Sequence, residues 1–307
     1  MKYLFKQKRT ILTSTLLLIS GLALSVNASI IYDLANLRGQ KSLFTKAYDI
    51  IKVQDAWEQI QNSDVLVSTT TIGIIDSGVD VQHPEFAGEF LNSILLGAVN
   101  FGNTPTSVRR DNHPGGHGTQ VAGIIGANNL SGLGIVLPID SPQMSGLLTG
   151  VPGLNYSLEM RRFGEGFFIS RLPLFDFLVK VRSIHKSGGR IINFSQSWVK
   201  SSALTDEQKE FVDGQVGSAT FIKNSLAMQL IATAYSDVLF IVSAGNENID
   251  ASNETPANIE RDNVITAAAT DLEDGRAIFS NLGASNFGND VDIAAPGKNI
   301  YAPKPEN

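Results

Sequence analysis

The sequence predicts an α/β fold of three layers, in which helices flank a mainly parallel central sheet. Apolar runs without polar alternation, such as T-T-T-I-G-I-I-D at residues 69–76, are typical of strands that are buried on both faces of a parallel sheet. These runs alternate with stretches in which apolar residues have helical spacing, which is the order found in parallel α/β sheets. Because 43% of the 307 residues are hydrophobic, the chain can form one sizeable core.

The individual elements are predicted from apolar spacing and from the residues that end each stretch. A segment with helical spacing precedes the strand that ends at residue 76. Of two later helices, the first is ended by Gly188 and Gly189, and the second begins at a capping box. Helices are predicted at 48–61, 121–127, 175–187 and, beginning at a Thr205–Gln208 capping box, 203–236, with strands at 69–76, 190–195, 238–246 and 263–270.

Two segments do not fit this alternation. Residues 128–154 are rich in Gly, Ser, Leu and Pro, and we expect a long surface loop there. The acidic and asparagine-rich stretch 246–258 has oxygens that suit calcium, but their spacing fits no calcium-loop motif. A solvated loop is therefore the favoured interpretation of residues 246–258.

The N-terminal region has the pattern of a secretory signal peptide at residues 1–28. Four basic residues precede an apolar run at 11–26, and Val26-Asn27-Ala28 offers a cleavage site. This run is sixteen residues long and is interrupted only by small or hydroxylated residues, which is short for a membrane span of about 20, so cleavage is favoured over an anchor. We expect a short segment at 29–56, a main domain at 57–307, and a protein that is secreted or located in the periplasm or cell envelope. Membrane contact is expected only through the signal peptide.

Charge and cysteine content exclude several classes of function. The formal net charge is −6 and the body of the chain has no basic cluster, which argues against a nucleic-acid partner. The chain contains no cysteine, so disulfides, thiolate catalysis and cysteine-based zinc sites are excluded.

Three predicted strands end in a polar residue beside small residues, and these positions are the candidates for chemistry. Asp76 ends the first strand, Ser195 the second and Asn246 the third. In open α/β sheets, ligands bind beyond the carboxyl ends of the strands. An asparagine amide at such an end can donate to a developing oxyanion, although turn formation is the ordinary role of Asn after a strand.

His117 lies between two glycines directly before a predicted helix, and Asp76 is its candidate partner. A carboxylate at the end of an apolar strand is costly unless it is hydrogen-bonded, and an imidazole N–H is a suitable donor. The alternatives are that Asp76 caps the following turn and that Gly-His-Gly is an ordinary turn. Of the other histidines, we expect His83 to be structural, His113 to be a solvated neighbour of the site, and His185 to be a surface residue.

In this order, the motifs resemble those of the subtilisin-like serine peptidases, the subtilases. G-I-I-D-S-G-V-D-V-Q-H-P-E-F at 73–86 resembles the aspartate motif, and H-G-T-Q-V-A-G-I-I-G-A at 117–127 resembles the histidine motif. V-S-A-G-N-E at 242–247 resembles the motif of the oxyanion-hole asparagine, and residues 279–297 resemble the segment that leads to the nucleophile. The resemblance extends from about residue 57 to the end of the chain.

The resemblance implies an endopeptidase that acts on protein or peptide substrates. Asp76 and His117 would be triad members, with His117 as the general base, and Asn246 would be the oxyanion donor. Ser195-Gln196-Ser197 stands where the family pairs with extended substrate, but the usual S-x-G-G pattern is not kept. No cofactor is required for this chemistry; structural calcium is compatible with it, at no predicted position, and no oligomeric state is predicted. Residues 29–56 are too few for the family's usual folding-assisting propeptide domain.

The nucleophile motif of the family, G-T-S, is absent from the 307 residues. It normally follows the A-P-G turn by about twenty residues, whereas ten residues follow Gly297 here. We therefore expect a catalytic domain that lacks its C-terminal part, is inactive by itself and has its serine beyond residue 307. The alternative is a catalytically inactive exported protein that binds or scaffolds other proteins.

Overall fold

The computed structural model describes residues 46–62, 70–83, 86, 101–113, 115–127, 147, 156–163, 173–280, 283–300 and 302–303. All of these belong to one unit of the chain, which comprises residues 43–136 and 143–307. The predicted signal peptide lies outside the described residues, as does the predicted loop at 128–154 apart from residue 147. The signal peptide, this loop and the domain boundaries stay predictions.

Four α-helices and nine strands have defined bounds within these described ranges. The helices are α1 (Val53–Gln61), α2 (His117–Gly126), α3 (Pro173–Lys186) and α4 (Ser218–Ala234). The strands are β1 (Thr70–Asp76), β2 (Tyr156–Arg162), β3 (Ile191–Phe194), β4 (Trp198–Lys200), β5 (Gln215–Val216), β6 (Leu239–Ser243), β7 (Glu254–Thr255), β8 (Val264–Thr270) and β9 (Ile293–Pro296). No helix in the described part of the chain combines the length and the apolar character needed to cross a membrane.

A parallel sheet with the strand order β2-β1-β3-β6-β8-β9 occupies the centre of the fold. The last five residues of β1 are buried, as expected for an apolar strand between two covered faces. Ile74 belongs to an apolar cluster with Met160 and with Ala122 of α2. Ile75, whose side chain alternates to the other face, belongs to a second cluster with Phe177 of α3 and residues of α4. The predicted three-layer α/β fold is therefore confirmed.

A second sheet of three strands is formed by segments that come after β3 and β6 in the chain. In it, β4 pairs in parallel with β5 and antiparallel with β7. β4 comes directly after the segment that follows β3, and β7 lies in the chain after β6. This sheet therefore links the segments that leave β3 and β6.

The predicted helices have different bounds in the structure: the one predicted at 48–61 is α1 from Val53, and the one predicted at 175–187 is α3 at Pro173–Lys186. The helix predicted from residue 121 begins at His117, so its first turn contains the start of the histidine motif. The helical pattern predicted at 203–236 is an α-helix only from Ser218. The Thr205–Gln208 capping box forms with reciprocal bonds of 2.9 and 3.2 Å, but it leads into a single 3₁₀ turn. Gly214, at φ 72°, then turns the chain into β5, which stops the pattern from continuing as a helix.

Candidate active site

The strands that carry the candidate residues are neighbours in the central sheet. β1, β3 and β6 lie side by side and run parallel, so their carboxyl ends reach the same edge. Asp76 is the last residue of β1, Ser195 directly follows β3, and Asn246 lies in the turn after β6. The fold thus places the three predicted positions at one edge of the sheet.

Asp76 and His117 are in direct contact across this edge. Nδ1 of His117 lies 2.8 Å from Oδ1 and 3.0 Å from Oδ2 of Asp76. The Asp76 side chain is fully buried, and its Oδ1 also accepts the N–H of Ser77 at 2.7 Å. The imidazole remains 42% exposed. A neutral imidazole that donates from Nδ1 has its lone pair on Nε2, which is then the atom that can accept a proton.

The electrostatic surroundings of His117 favour its protonated form. The hydrogen bond with Asp76 raises the pKa of His117 above its usual 6.5, against the opposing effect of partial burial. The negative charges of Asp76 and Asp111 raise this pKa further. The site can therefore stabilise an imidazolium during a reaction.

Each of the two glycines beside His117 permits a different feature of the backbone. Gly116, at φ 68°, makes the left-handed turn that starts α2. A Cβ atom at Gly118 would overlap the carbonyl oxygen of Gly78 and come within 3.1 Å of Oδ1 of Asp76. The first turn of α2 therefore packs directly on the end of β1, which brings the imidazole to the carboxylate.

Asp111 is a residue of this site that the sequence analysis did not single out. Its carboxylate accepts hydrogen bonds from Ser77, which directly follows Asp76, and from Thr119, which lies two residues after His117. It lies five residues before the N-cap Gly116, outside the position at which a capping residue is recognised in a sequence, so only the folded chain shows its contact with the helix start.

The side chain of Asn286 holds the turn that carries Asn246 through hydrogen bonds to its backbone. Asn286 is fully buried; its side chain donates to the carbonyl of Ala244 at 3.0 Å and accepts the N–H groups of Glu247 and Ile249, each at 3.0 Å. Asn246 itself is exposed, and its N–H donates to Oε2 of Glu247 at 2.7 Å. The Asn246 side chain thus projects from an anchored turn.

The buried carboxyl group of Glu254 contacts Asn286 and the side chain of Glu247 from the same turn. Glu254 is 1% exposed; it accepts the Oγ–H of Ser197 and, at 3.3 Å, the Nδ2–H of Asn286. Burial and the neighbouring carboxylate of Glu247 raise the pKa of Glu254 to about 8. Both effects favour the protonated form of Glu254, which can donate a hydrogen bond to the carboxylate of Glu247.

The interpretation of residues 246–258 as a solvated loop is wrong for the second half of this stretch. Residues 254–257 are buried, whereas Asn246, Asn248, Asp250 and Ser252 are exposed. Among the described residues, no group of three or more acidic or histidine side chains is arranged to hold a metal ion. The position of any structural calcium stays a prediction.

The predicted substrate-binding residues Ser195, Gln196 and Ser197 are half-buried and lie between β3 and β4. Nδ2 of Asn193 donates to Oγ of Ser195 at 3.0 Å. β4 already has β5 and β7 on its two sides, so an added strand could pair only with the residues before Trp198.

The remaining histidines occupy three different environments. The exposed ring of His113 lies edge-on to that of His117 at 6.1 Å, and its Nδ1 accepts the N–H of Gly115 at 3.0 Å. His83 is 6% exposed and packs against Phe86. Nε2 of His185 lies at the surface within hydrogen-bonding distance of Oδ2 of Asp237, at 2.9 Å.

Comparisons with known proteins give relatives of one family. The profile of the Subtilase family matches residues 68–307. The Subtilisin-like protease 6 of Trichophyton schoenleinii is 29% identical over 244 residues, which are 76% of this chain and 46% of the relative. The Subtilisin-like serine protease Rho m 2.0101 of Rhodotorula mucilaginosa is 30% identical over 233 residues, which are 75% of this chain and 52% of the relative. The chain spans about half the length of these curated relatives.

A solved structure agrees at the level of the fold. The crystal structure of MycP1 with the N-terminal propeptide removed has a TM-score of 0.50 and 19% sequence identity, and the match covers 84% of this chain and 72% of that chain. The family profile covers more than half of the chain and includes β1, α2 and the turn after β6. The chain therefore belongs to the subtilase family.

Proposed function

We propose that the protein is a serine endopeptidase that hydrolyses peptide bonds in protein or peptide substrates. The observation that carries this proposal is the 2.8 Å contact between Nδ1 of His117 and Oδ1 of the fully buried Asp76. Membership of the subtilase family supports the same class of reaction. Because the 307 residues contain no G-T-S motif, we place the nucleophilic serine in a part of the protein beyond residue 307.

In this proposal, His117 is the general base and then the general acid. Its Nε2 accepts the proton of the serine hydroxyl as the oxygen attacks the peptide carbonyl, and then delivers that proton to the leaving amine. Asp76 holds the imidazole with Nδ1 as the donor and stabilises the imidazolium. The raised pKa of His117 supports this role, because it reflects a site that favours the charged ring.

Asn246 and residues 195–197 complete the proposed site. The amide of Asn246 would donate to the oxyanion of the tetrahedral intermediate. Its exposure, on a turn anchored by Asn286, supports this role, since an oxyanion donor has to be held in place before the reaction. Ser195, Gln196 and Ser197 would pair with an extended substrate.

We further propose that the protein acts after export, in the periplasm or cell envelope or outside the cell. The support is the signal-peptide pattern of residues 1–28. The alternative function, an inactive binding or scaffold protein, would use the same exposed edge without hydrolysis.

The test uses a serine-directed fluorophosphonate probe and a peptide substrate, applied to the 307-residue chain and to the product of the complete gene. We expect the complete protein to be labelled and to hydrolyse the peptide, and the 307-residue chain to do neither. His117→Ala should abolish both signals, whereas His113→Ala is the matched control because the ring of His113 does not contact Asp76. A complete gene without G-T-S, and a product without hydrolysis, would favour the scaffold function. Full activity of Asp76→Asn would contradict the triad.

A further inference from the structure

The first turn of α2 is capped by side chains from outside the helix. Its N-cap residue, Gly116, has no side chain that could accept the first N–H groups. The N–H of Gly118 instead donates to Oγ of Ser77 at 2.9 Å, and the N–H of Thr119 donates to Oδ2 of Asp111 at 2.7 Å. A carboxylate at this end of a helix also faces the positive end of the helix dipole.

Asp111 connects the end of β1 to the start of α2. Its Oδ1 accepts the hydroxyl of Ser77 at 2.8 Å and the N–H of His113 at 3.0 Å. Its Oδ2 accepts the hydroxyl of Thr119 at 2.7 Å in addition to the N–H. Ser77 directly follows Asp76, and Thr119 is in the same helical turn as His117, so one carboxylate holds the two elements that carry the pair.

The contact between His117 and Asp76 depends on this connection. The imidazole nitrogen reaches both carboxylate oxygens within 3.0 Å, and a displacement of about 1 Å would break such a geometry. Gly118 fixes how closely α2 approaches β1, because its missing Cβ permits contact with Gly78. The hydrogen bonds of Asp111 then resist sliding and rotation of the helix start along this contact.

We propose that Asp111 is a positioning residue, which holds His117 on Asp76 through its hydrogen bonds to Ser77 and Thr119. The structural part of this proposal concerns residues of this chain alone. Its consequence for catalysis rests on the proposed peptidase function.

The charges around His117 determine the measurable effect of Asp111. Asp76 contacts the ring from the end of β1, Asp111 lies in the loop before α2, and the ring of His113 faces it from the same loop. From β2, Arg162 donates to the carbonyl of Ser77 at 2.9 Å. Removal of the Asp111 charge leaves Asp76 as the remaining carboxylate that raises the pKa of His117, so this pKa should fall.

The experiment is an NMR titration of the 307-residue chain labelled at histidine Cε1. The chain has four histidines, so the spectrum contains four signals, and His117→Gln identifies the one of interest. In Asp111→Asn we expect the pKa of His117 to fall and the proton between Nδ1 and Asp76 to exchange faster with water. Asp80→Asn is the matched control: it removes an equal charge after β1, from a carboxylate that accepts the N–H of Gln82 at 3.1 Å.

An unchanged pKa of His117 together with an unchanged Nδ1 proton in folded Asp111→Asn would overturn the proposal, and so would an equal shift in Asp80→Asn. If Asp111→Asn does not fold, Ser77→Ala replaces it, because this variant removes the bridging hydroxyl and keeps both charges. Faster exchange of the Nδ1 proton in Ser77→Ala is then the expected result, and unchanged exchange contradicts the proposal.

Kinetics of the complete protein test the catalytic consequence. In Asp111→Asn we expect kcat to fall about tenfold with little change in KM, since the substrate-binding segment is not altered. An unchanged kcat would overturn the catalytic consequence. A parent protein without hydrolysis would refute the proposed peptidase function only, because the NMR titration decides the role of Asp111 without turnover.

Discussion

Replacing Glu254 by Gln should make the stability of the fold less dependent on pH. Glu254 is buried, accepts a hydrogen bond from Ser197 and is hydrogen-bonded with Glu247. Gln has the shape of a protonated Glu and cannot ionise; its amide oxygen can accept from Ser197 and its amide N–H can donate to Glu247. The amide nitrogen cannot accept the Nδ2–H of Asn286, so the substitution removes the titration and loses one long hydrogen bond of 3.3 Å.

The expected magnitude follows from the pKa of Glu254, which burial and Glu247 raise from 4.5 to about 8. Between these pH values the unfolded chain has lost the proton and the folded chain has kept it, so the free energy of unfolding decreases as pH rises. A difference of about 3.5 units, at about 1.4 kcal/mol per unit, gives an upper limit of about 5 kcal/mol above pH 8. Relaxation of the turn and entry of water reduce this value, and we expect about 2 to 3 kcal/mol.

The assay is urea unfolding of the parent and of Glu254→Gln at several pH values from 5 to 9, followed by circular dichroism. The parent should lose more stability than the variant over this range, and the variant should be the more stable protein at pH 9. Glu273→Gln is the matched control, because Glu273 is exposed in an ion pair with Lys46 and should leave the parental pH dependence in place. Equal pH dependence in the parent and in Glu254→Gln would refute the reasoning, since it would mean that Glu254 is already ionised in the folded protein.

Three further predictions concern the elements that build the site. Asp76→Asn should lower the pKa of His117 in the same histidine NMR titration, because the hydrogen bond and the charge of Asp76 raise that pKa. In the parent, the stability that this pair supplies is present below pH 6.5 and is lost as pH rises through the raised pKa of His117. Gly118→Ala should destabilise the fold by about 2 kcal/mol or more in urea unfolding, because its Cβ would overlap the carbonyl of Gly78. Gly217→Ala, which has open space around the new Cβ, should cost less than about 1 kcal/mol, and equal losses would refute the steric reasoning. Asn286→Ala should cost about 3 kcal/mol, because buried hydrogen-bond partners on the turn after β6 lose their pairing; a loss below about 1 kcal/mol would contradict this.

The features of the fold that depend on local sequence could be predicted. The sequence predicts β1 because an apolar run without polar alternation is typical of a strand that is covered on both faces of a sheet, and the last five residues of β1 are buried. Asp76 and His117 are predicted from the order of the motifs that contain them, because a charged residue at the end of a strand and an imidazole between glycines each have an ordinary structural interpretation as well. Their contact confirms the expected proximity of the two side chains.

The features that depend on distant parts of the chain were missed or misread. The helical pattern before Ser218 gave no sign that the turn at Gly214 would lead into a short strand paired with β4. Glu254 lies in a polar stretch that suggests solvent, and its burial depends on Glu247 and on Asn286, which comes from a different segment. Asp111 functions through a bond to Ser77, 34 positions away in the sequence, which apolar periodicity does not reveal.

The position of β1 in the sheet has a consequence for the synthesis of the protein. β1 precedes the other strands of the central sheet in the chain, but both of its neighbours, β2 and β3, are made later. While the chain leaves the ribosome, β1 therefore has no partner in the sheet until residues 156–162 have emerged, and it is enclosed on both sides only after residues 191–194. The strand that carries Asp76 is therefore enclosed on both sides only by residues that lie more than a hundred positions later in the sequence, and the Asp76–His117 pair gains its final frame only when they are present.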